Sequence, residues 1–412
     1  SMSVVIAAAG LVCPAGLGLA ESAAGARARL SVLREIDWCD RRQEPFIVGV
    51  VPDQGLPALA PAAAAAPLQA REGRMLRLAH AALADLYAGL PADLPAPPLF
   101  LGLPEHHTTR PIDPDRFLKA LASQAGACFD PSLSIAAPRG RASGLMALSQ
   151  AAARIAAGEA GLILVGGLDS FVDMHVLATL DEAGRVRGET VSDGFSPAEG
   201  AAFLLVASES VTRSYGLPVL ARIAATGSGF EPGHLYADEP YLGEGLAGVV
   251  SACLDAAGLT VPLQTVYCSF NGERYWAREF GVARIRNASA FADEAHTEHP
   301  AECFGDLGAA HGLALANERG FTVVHPYDDL AVAAGQGTIA LEMLAAQPQI
   351  DTLIVAIGGG GLISGMATAA RAIKPGIEVY GVQTERFPAV WNAVHHGHRE
   401  SGQATIADGI AV

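Results

Sequence analysis

The stretch from Pro138 to Gly167 restricts the possible folds most sharply. Small residues in Pro138-Arg139-Gly140-Arg141-Ala142-Ser143-Gly144 close a tight turn. A helix-period pattern follows through Leu145, Leu148, Ala152, Ile155 and Ala156, and Gly158-Glu159-Ala160-Gly161 interrupts it. The run Leu162-Ile163-Leu164-Val165-Gly166-Gly167 is apolar without alternation, which predicts a strand buried on both faces. A turn feeding a buried helix that leads into a core strand is a place where enzymes hold a nucleophile. The residue at the tip is Arg141.

The same alternation runs along the chain. A strand is expected over residues 4–9, ending in Gly10, then a helix over 19–30 and an Ala/Pro-rich surface loop over 53–68. Residues 72–90 carry Met75, Leu76, Ala79, Leu83 and Leu86 at the spacing of an amphipathic helix. A buried strand over 99–103 and a helix over 114–127 precede the opening turn, with Lys119 on that helix's polar face. Asp193-Gly194-Phe195 leads into a core strand over 199–206. A second succession follows: a strand over 219–225, a helix over 243–257, a strand over 266–270, a turn at Asn271-Gly272 and a helix over 274–280. It closes on the glycine-rich Phe304-Gly305-Asp306-Leu307-Gly308-Ala309-Ala310-His311-Gly312. Strands alternating with helices predict an α/β fold of largely parallel sheets covered by helices.

Composition narrows the function classes. Half of the 412 residues are hydrophobic and 17% are charged, which fits a large buried core of two or three domains, or one two-fold-repeated domain. The net charge is −16 and no Lys/Arg cluster could neutralise a run of phosphates, so nucleic acid is not an expected partner. No apolar run reaches the roughly 20 residues of a membrane helix. Ser1-Met2-Ser3-Val4-Val5-Ile6 lacks a basic n-region, so no signal peptide is expected. Ser1 reads as an expression scar. The six cysteines are scattered without a C-x-x-C pair, which predicts reduced thiols, a cytoplasmic setting and no metal centre. The only lysines are Lys119 and Lys374.

Three stretches resemble a family. Val4 to Gly16, with Cys13-Pro14-Ala15-Gly16, resembles the opening strand and Thr-Pro-x-Gly turn of the β-ketoacyl synthases. Asp193-Gly194-Phe195-Ser196-Pro197-Ala198-Glu199-Gly200-Ala201-Ala202 resembles their D-G-F-x-x-x-E-G-A-G segment. Gly305-Asp306-Leu307-Gly308-Ala309-Ala310 resembles their G-H-x-x-G-A-A-G loop. The resemblance covers about residues 3–313. It implies a thiolase-like, layered αβαβα architecture with two repeated halves, about 1–208 and 209–316, and a homodimer. In that family a cysteine at a helix N-terminus takes the acyl chain, its thiol acidified by the helix dipole, while two histidines stabilise the oxyanion and assist decarboxylation. Those three positions fall on Arg141, Asn271 and Gly305 or its neighbour Asp306, so the catalytic side chains are absent. Arg141 then has two readings, a structural plug or an anion binder at a helix N-terminus. Arg141, Ser143, Asn271, Asp306 and His311 are the candidate pocket residues, with His311 expected on a helix surface and Cys268 and Cys303 as small core residues.

From about residue 317 the sequence resembles a different family. Arg319 to Asp329, Ala334-Gly335-Gln336-Gly337-Thr338, Leu353 to Gly365 and Thr405 to Val412 are similar to the middle and late parts of a threonine dehydratase, a serine/threonine ammonia-lyase of the fold-type II pyridoxal-phosphate (PLP) group. A buried strand is expected over residues 355–357 and a helix over 362–372. Between them Gly358-Gly359-Gly360-Gly361, with Leu362, forms a loop whose bare backbone suits a phosphate. The resemblance implies PLP as cofactor, held by that loop. It also places the Schiff-base lysine in a segment that has no counterpart here, with Lys374 badly placed for the role. The chain thus reads as a chimera of residues 1–316 and 317–412, joined without a linker.

Three functions follow: a non-catalytic ketosynthase-like protein binding an acyl thioester, an acyl carrier protein or a partner subunit; a PLP-dependent ammonia-lyase; and a condensing enzyme using other residues.

Overall fold

The computed structural model describes residues 3–106, 110–126, 128–318, 330–357, 360–385, 387–395 and 399. The chain divides into two units, Ser1–Phe321 and Thr322–Val412.

In the larger unit, strands β1 (Val4–Val12), β4 (Pro98–Leu103), β5 (Asp130–Pro138), β6 (Leu162–Ser170), β7 (Glu199–Ser208) and β8 (Ala221–Arg222) form one sheet in the order β5-β4-β6-β7-β1-β8. Strand β4 runs parallel to both β5 and β6, whereas β6–β7, β7–β1 and β1–β8 are antiparallel. Every residue of β6 and β7 is buried, because helices cover both faces. Alternate residues divide between two cores. Leu162, Leu164, Phe203 and Leu205 pack with Met75, Leu76, Leu83, Phe117 and Leu121 of helices Ala70–Tyr87 and Pro114–Ala125. Ile163, Val165, Leu204 and Val206 pack on the other face with Leu148, Ile155 and Leu313.

Among the described residues the second half of this unit carries fewer elements than the first. There it contributes β8 to the large sheet and a two-stranded parallel sheet of β9 (Leu263–Tyr267) and β10 (Phe291–Glu298). Its helices Gly245–Ala257 and Arg274–Arg286 each bury one residue, Ala247 and Ala283. Four strands of this unit escape the sequence pattern, among them β5 and the hairpin of β2 (Arg34–Cys39) and β3 (Pro45–Val48). Strand β10 escapes it as well, because Phe-Ala-Asp-Glu-Ala-His-Thr-Glu carries charge where a core strand carries Val or Ile.

Several boundaries move. Helix α1 spans Leu19–Arg27 and stops short of Leu30, because Arg29 turns left-handed (φ +52°). The 53–68 loop contains a 3₁₀ turn, Asp53–Gly55, and a short helix, Pro61–Ala64. The strand expected over 219–225 is the two residues of β8, and the one expected over 266–270 lies earlier, at β9.

In the smaller unit, β11 (Thr352–Ala356) pairs in parallel with β12 (Glu378–Val382). Helices Leu330–Ala346 and Gly361–Ile373 cover one face, where Ala340, Leu344, Leu353, Val355, Met366, Ala370 and Ile377 form a core. The expected buried strand is therefore half-buried: Ile354 on the other face is 74% exposed.

Candidate functional site

The opening turn is a 3₁₀ turn, Gly140–Ala142, that feeds helix α2, Ser143–Ala156. Gly140 supplies the left-handed φ of +62° that this turn requires. The Ser143 hydroxyl donates to the Gly140 carbonyl at 2.6 Å and is engaged in closing the turn. Gly102 lets β4 approach this point, since a Cβ there would lie 2.4 Å from Ser143 Oγ.

Arg141 points into a cluster of its own chain. Its guanidinium donates to the Asp306 carboxylate and to the Ser269 carbonyl, and lies over the Trp276 ring at 4.8 Å. Burial pulls its pKa down to about 10, so it remains a cation at neutral pH. Asp306 is buried and accepts from Asn271 Nδ2 at 2.7 Å and from the Gly308 amide at 2.9 Å. Asn271 also donates to Glu273 at 3.0 Å. Glu273 receives a bidentate pair from Arg185 at 2.7 and 2.9 Å and the Trp276 indole N–H at 2.9 Å. Burial pushes the Glu273 carboxyl up, but these donors outweigh it and leave its pKa below the ordinary value. Arg185 reaches the Tyr236 hydroxyl at 2.7 Å, which donates to Glu105 at 2.9 Å.

Arg141 therefore has internal partners, Asp306 and Ser269, at the place where an incoming anion would have to pair with it. His311 is fully buried rather than on a helix surface. Its Nδ1 accepts from the Leu307 amide at 3.2 Å, which puts the ring proton on Nε2, and Nε2 has no partner among the described residues. Burial, then the Arg141 charge, hold its pKa well below the ordinary histidine value, so the ring is neutral. Gly305 serves as a backbone turn with φ +84°, and at this position the side chain available is that of Asp306.

A second buried pair completes the cluster. Arg71 and Asp169 meet at 2.7 Å, and Asp169 accepts from the Ala309 amide at 3.0 Å. The successive amides of Leu307, Gly308 and Ala309 thus donate to His311, Asp306 and Asp169. These are the donors that could cradle an oxyanion, and side chains of the chain itself fill them. Arg71, Asp169, Arg185, Glu273 and Trp276 were not singled out from the sequence. Glu273, two residues from Asn271, and Asp169, at the end of a buried strand, were the available signals. Cys268 and Cys303 are buried; burial lifts the Cys268 thiol to about 12, which leaves it protonated at neutral pH.

In the smaller unit, Gly358 and Gly359 lie outside the described residues. Gly360 (φ +98°) caps the helix Gly361–Ile373, and Leu362 is half-buried. Lys374 ends that helix, and its ammonium donates to the Ile350 carbonyl at 2.8 Å. A helix of this length separates its two ends by roughly 20 Å. Gly360, at the start of a helix, suits the phosphate of PLP, whereas the aldehyde has no lysine near that end, because the unit's one lysine stands at the far end.

The larger unit has the fold of the ketosynthases, the thiolase-like α/β class. A ketosynthase from module 6 of the bacillaene synthase of Bacillus subtilis 168 superposes with a TM-score of 0.62 at 14% identity, over 77% of this chain and 60% of that one. A type II PKS acyl-carrier protein in complex with its ketosynthase bound to the hexaketide gives 0.61 at 18% identity, over 77% and 85%. The C-terminal part is related to another family. Residues 278–412 match the model described as pyridoxal-phosphate dependent enzyme. The L-threonine ammonia-lyase of Thermotoga maritima is 43% identical over 102 residues, 24% of this chain and 25% of that protein. An L-threonine dehydratase of Staphylococcus aureus strain N315 is 48% identical over 102 residues, 24% and 29%. The chain spans about a quarter of the length of these relatives and joins two distinct likenesses. No helix among the described residues is long and apolar enough to cross a membrane.

Proposed function

We propose that the chain is a non-condensing ketosynthase-fold protein, working as a homodimeric scaffold that binds an acyl carrier protein or its acyl thioester. The observation that carries this reading is Arg141 at the start of the nucleophile-type helix, ion-paired to Asp306. A cation held by a carboxylate cannot attack a thioester, and the neighbouring hydroxyl of Ser143 is tied to Gly140. The filled amides of Leu307, Gly308 and Ala309 point the same way. Edge strand β5 supports the dimer: Leu133 is 62% and Ile135 43% exposed on a strand whose outer edge is unpaired among the described residues. The carrier-protein role is taken from the type II PKS complex of like fold. The test is a condensation assay with acyl- and malonyl-carrier protein, run beside a binding titration of the same carriers. Binding without a β-ketoacyl product is expected; product formation would overturn the reading. Sedimentation should show a dimer that Leu133→Glu dissociates.

The family match of the C-terminal part supports a second reading, PLP-dependent ammonia-lyase chemistry. With the aldehyde end unmatched, no step is assigned to it. Added PLP should give no borohydride-sensitive Schiff-base band; such a band, lost in Lys374→Ala, would establish it.

A further inference from the structure

We draw no further inference here: the strongest candidate, the apolar face of the β11–β12 sheet in the smaller unit where Ile354, Tyr380 and Val382 stand exposed, carries nothing because nothing in the structure shows what covers it.

Discussion

The six-stranded sheet of the larger unit and the two-stranded sheet of the smaller one both lie against helices, but they are covered differently. In the first, β6 and β7 are buried along their whole length and helices close both faces. In the second, Ile354, Tyr380 and Val382 stand 74%, 55% and 60% exposed on the face away from the helices. The difference teaches where polar groups can be buried. The larger unit buries Arg71, Asp169 and Asp306 and most of Arg141, with each charge matched by a partner and further hydrogen bonds. The half-open layer carries no such pair among its described residues and presents Gly360 at a helix start instead.

The largest break in this comparison should come from Asp306→Ala. It leaves the largely buried Arg141 without its carboxylate and should cost about 3 kcal/mol in denaturant unfolding. Phe203→Ala, at a fully buried site between the helices and the sheet, should cost a similar amount, about 3 kcal/mol, through the cavity it leaves. A smaller effect separates the units by pH. His311 is held neutral in the folded state, with its pKa below the ordinary 6.5, so the unfolded chain binds the extra proton first. Stability should be complete above that value and decline as pH falls below it, by up to about 1.4 kcal/mol per pH unit. Glu273, whose pKa lies below its ordinary 4.5, contributes stability that is lost only at lower pH, as its folded-state pKa is approached. Melting curves of wild type and His311→Gln between about pH 7.5 and about pH 5 check this; the variant should show the flatter dependence. The smallest effect belongs to Ile354→Thr in the open layer, about 0.5 kcal/mol or less by the same unfolding measurement. A larger loss there would mean that the face is covered in solution.

The buried strands were readable because continuous apolar runs have few other uses. β6, β7 and the strand before Gly10 stand close to their expected places, and the helix after Ser143 is where its spacing puts it. β5 was not readable, since Asp-Pro-Ser-Leu-Ser-Ile-Ala-Ala-Pro alternates around an exposed edge. The candidate site was half readable. Arg141, Asn271 and Asp306 were found one at a time, but the ion pair joins positions 165 residues apart, and nothing local announces it. His311 was misplaced because a single polar residue in an apolar helix gives no sign of which face it takes. Here Leu307 donates its amide to the ring and draws it inside.

The proposed scaffold role requires Arg141 and Asp306 to stand as an internal ion pair where a condensing enzyme accepts its acyl group. Intact-mass spectrometry after incubation with an acyl thioester tests it most directly. The mass should be unchanged, in wild type and Arg141→Met alike. An acyl adduct that survives denaturation and maps to Ser143, Cys268 or Cys303 would contradict it.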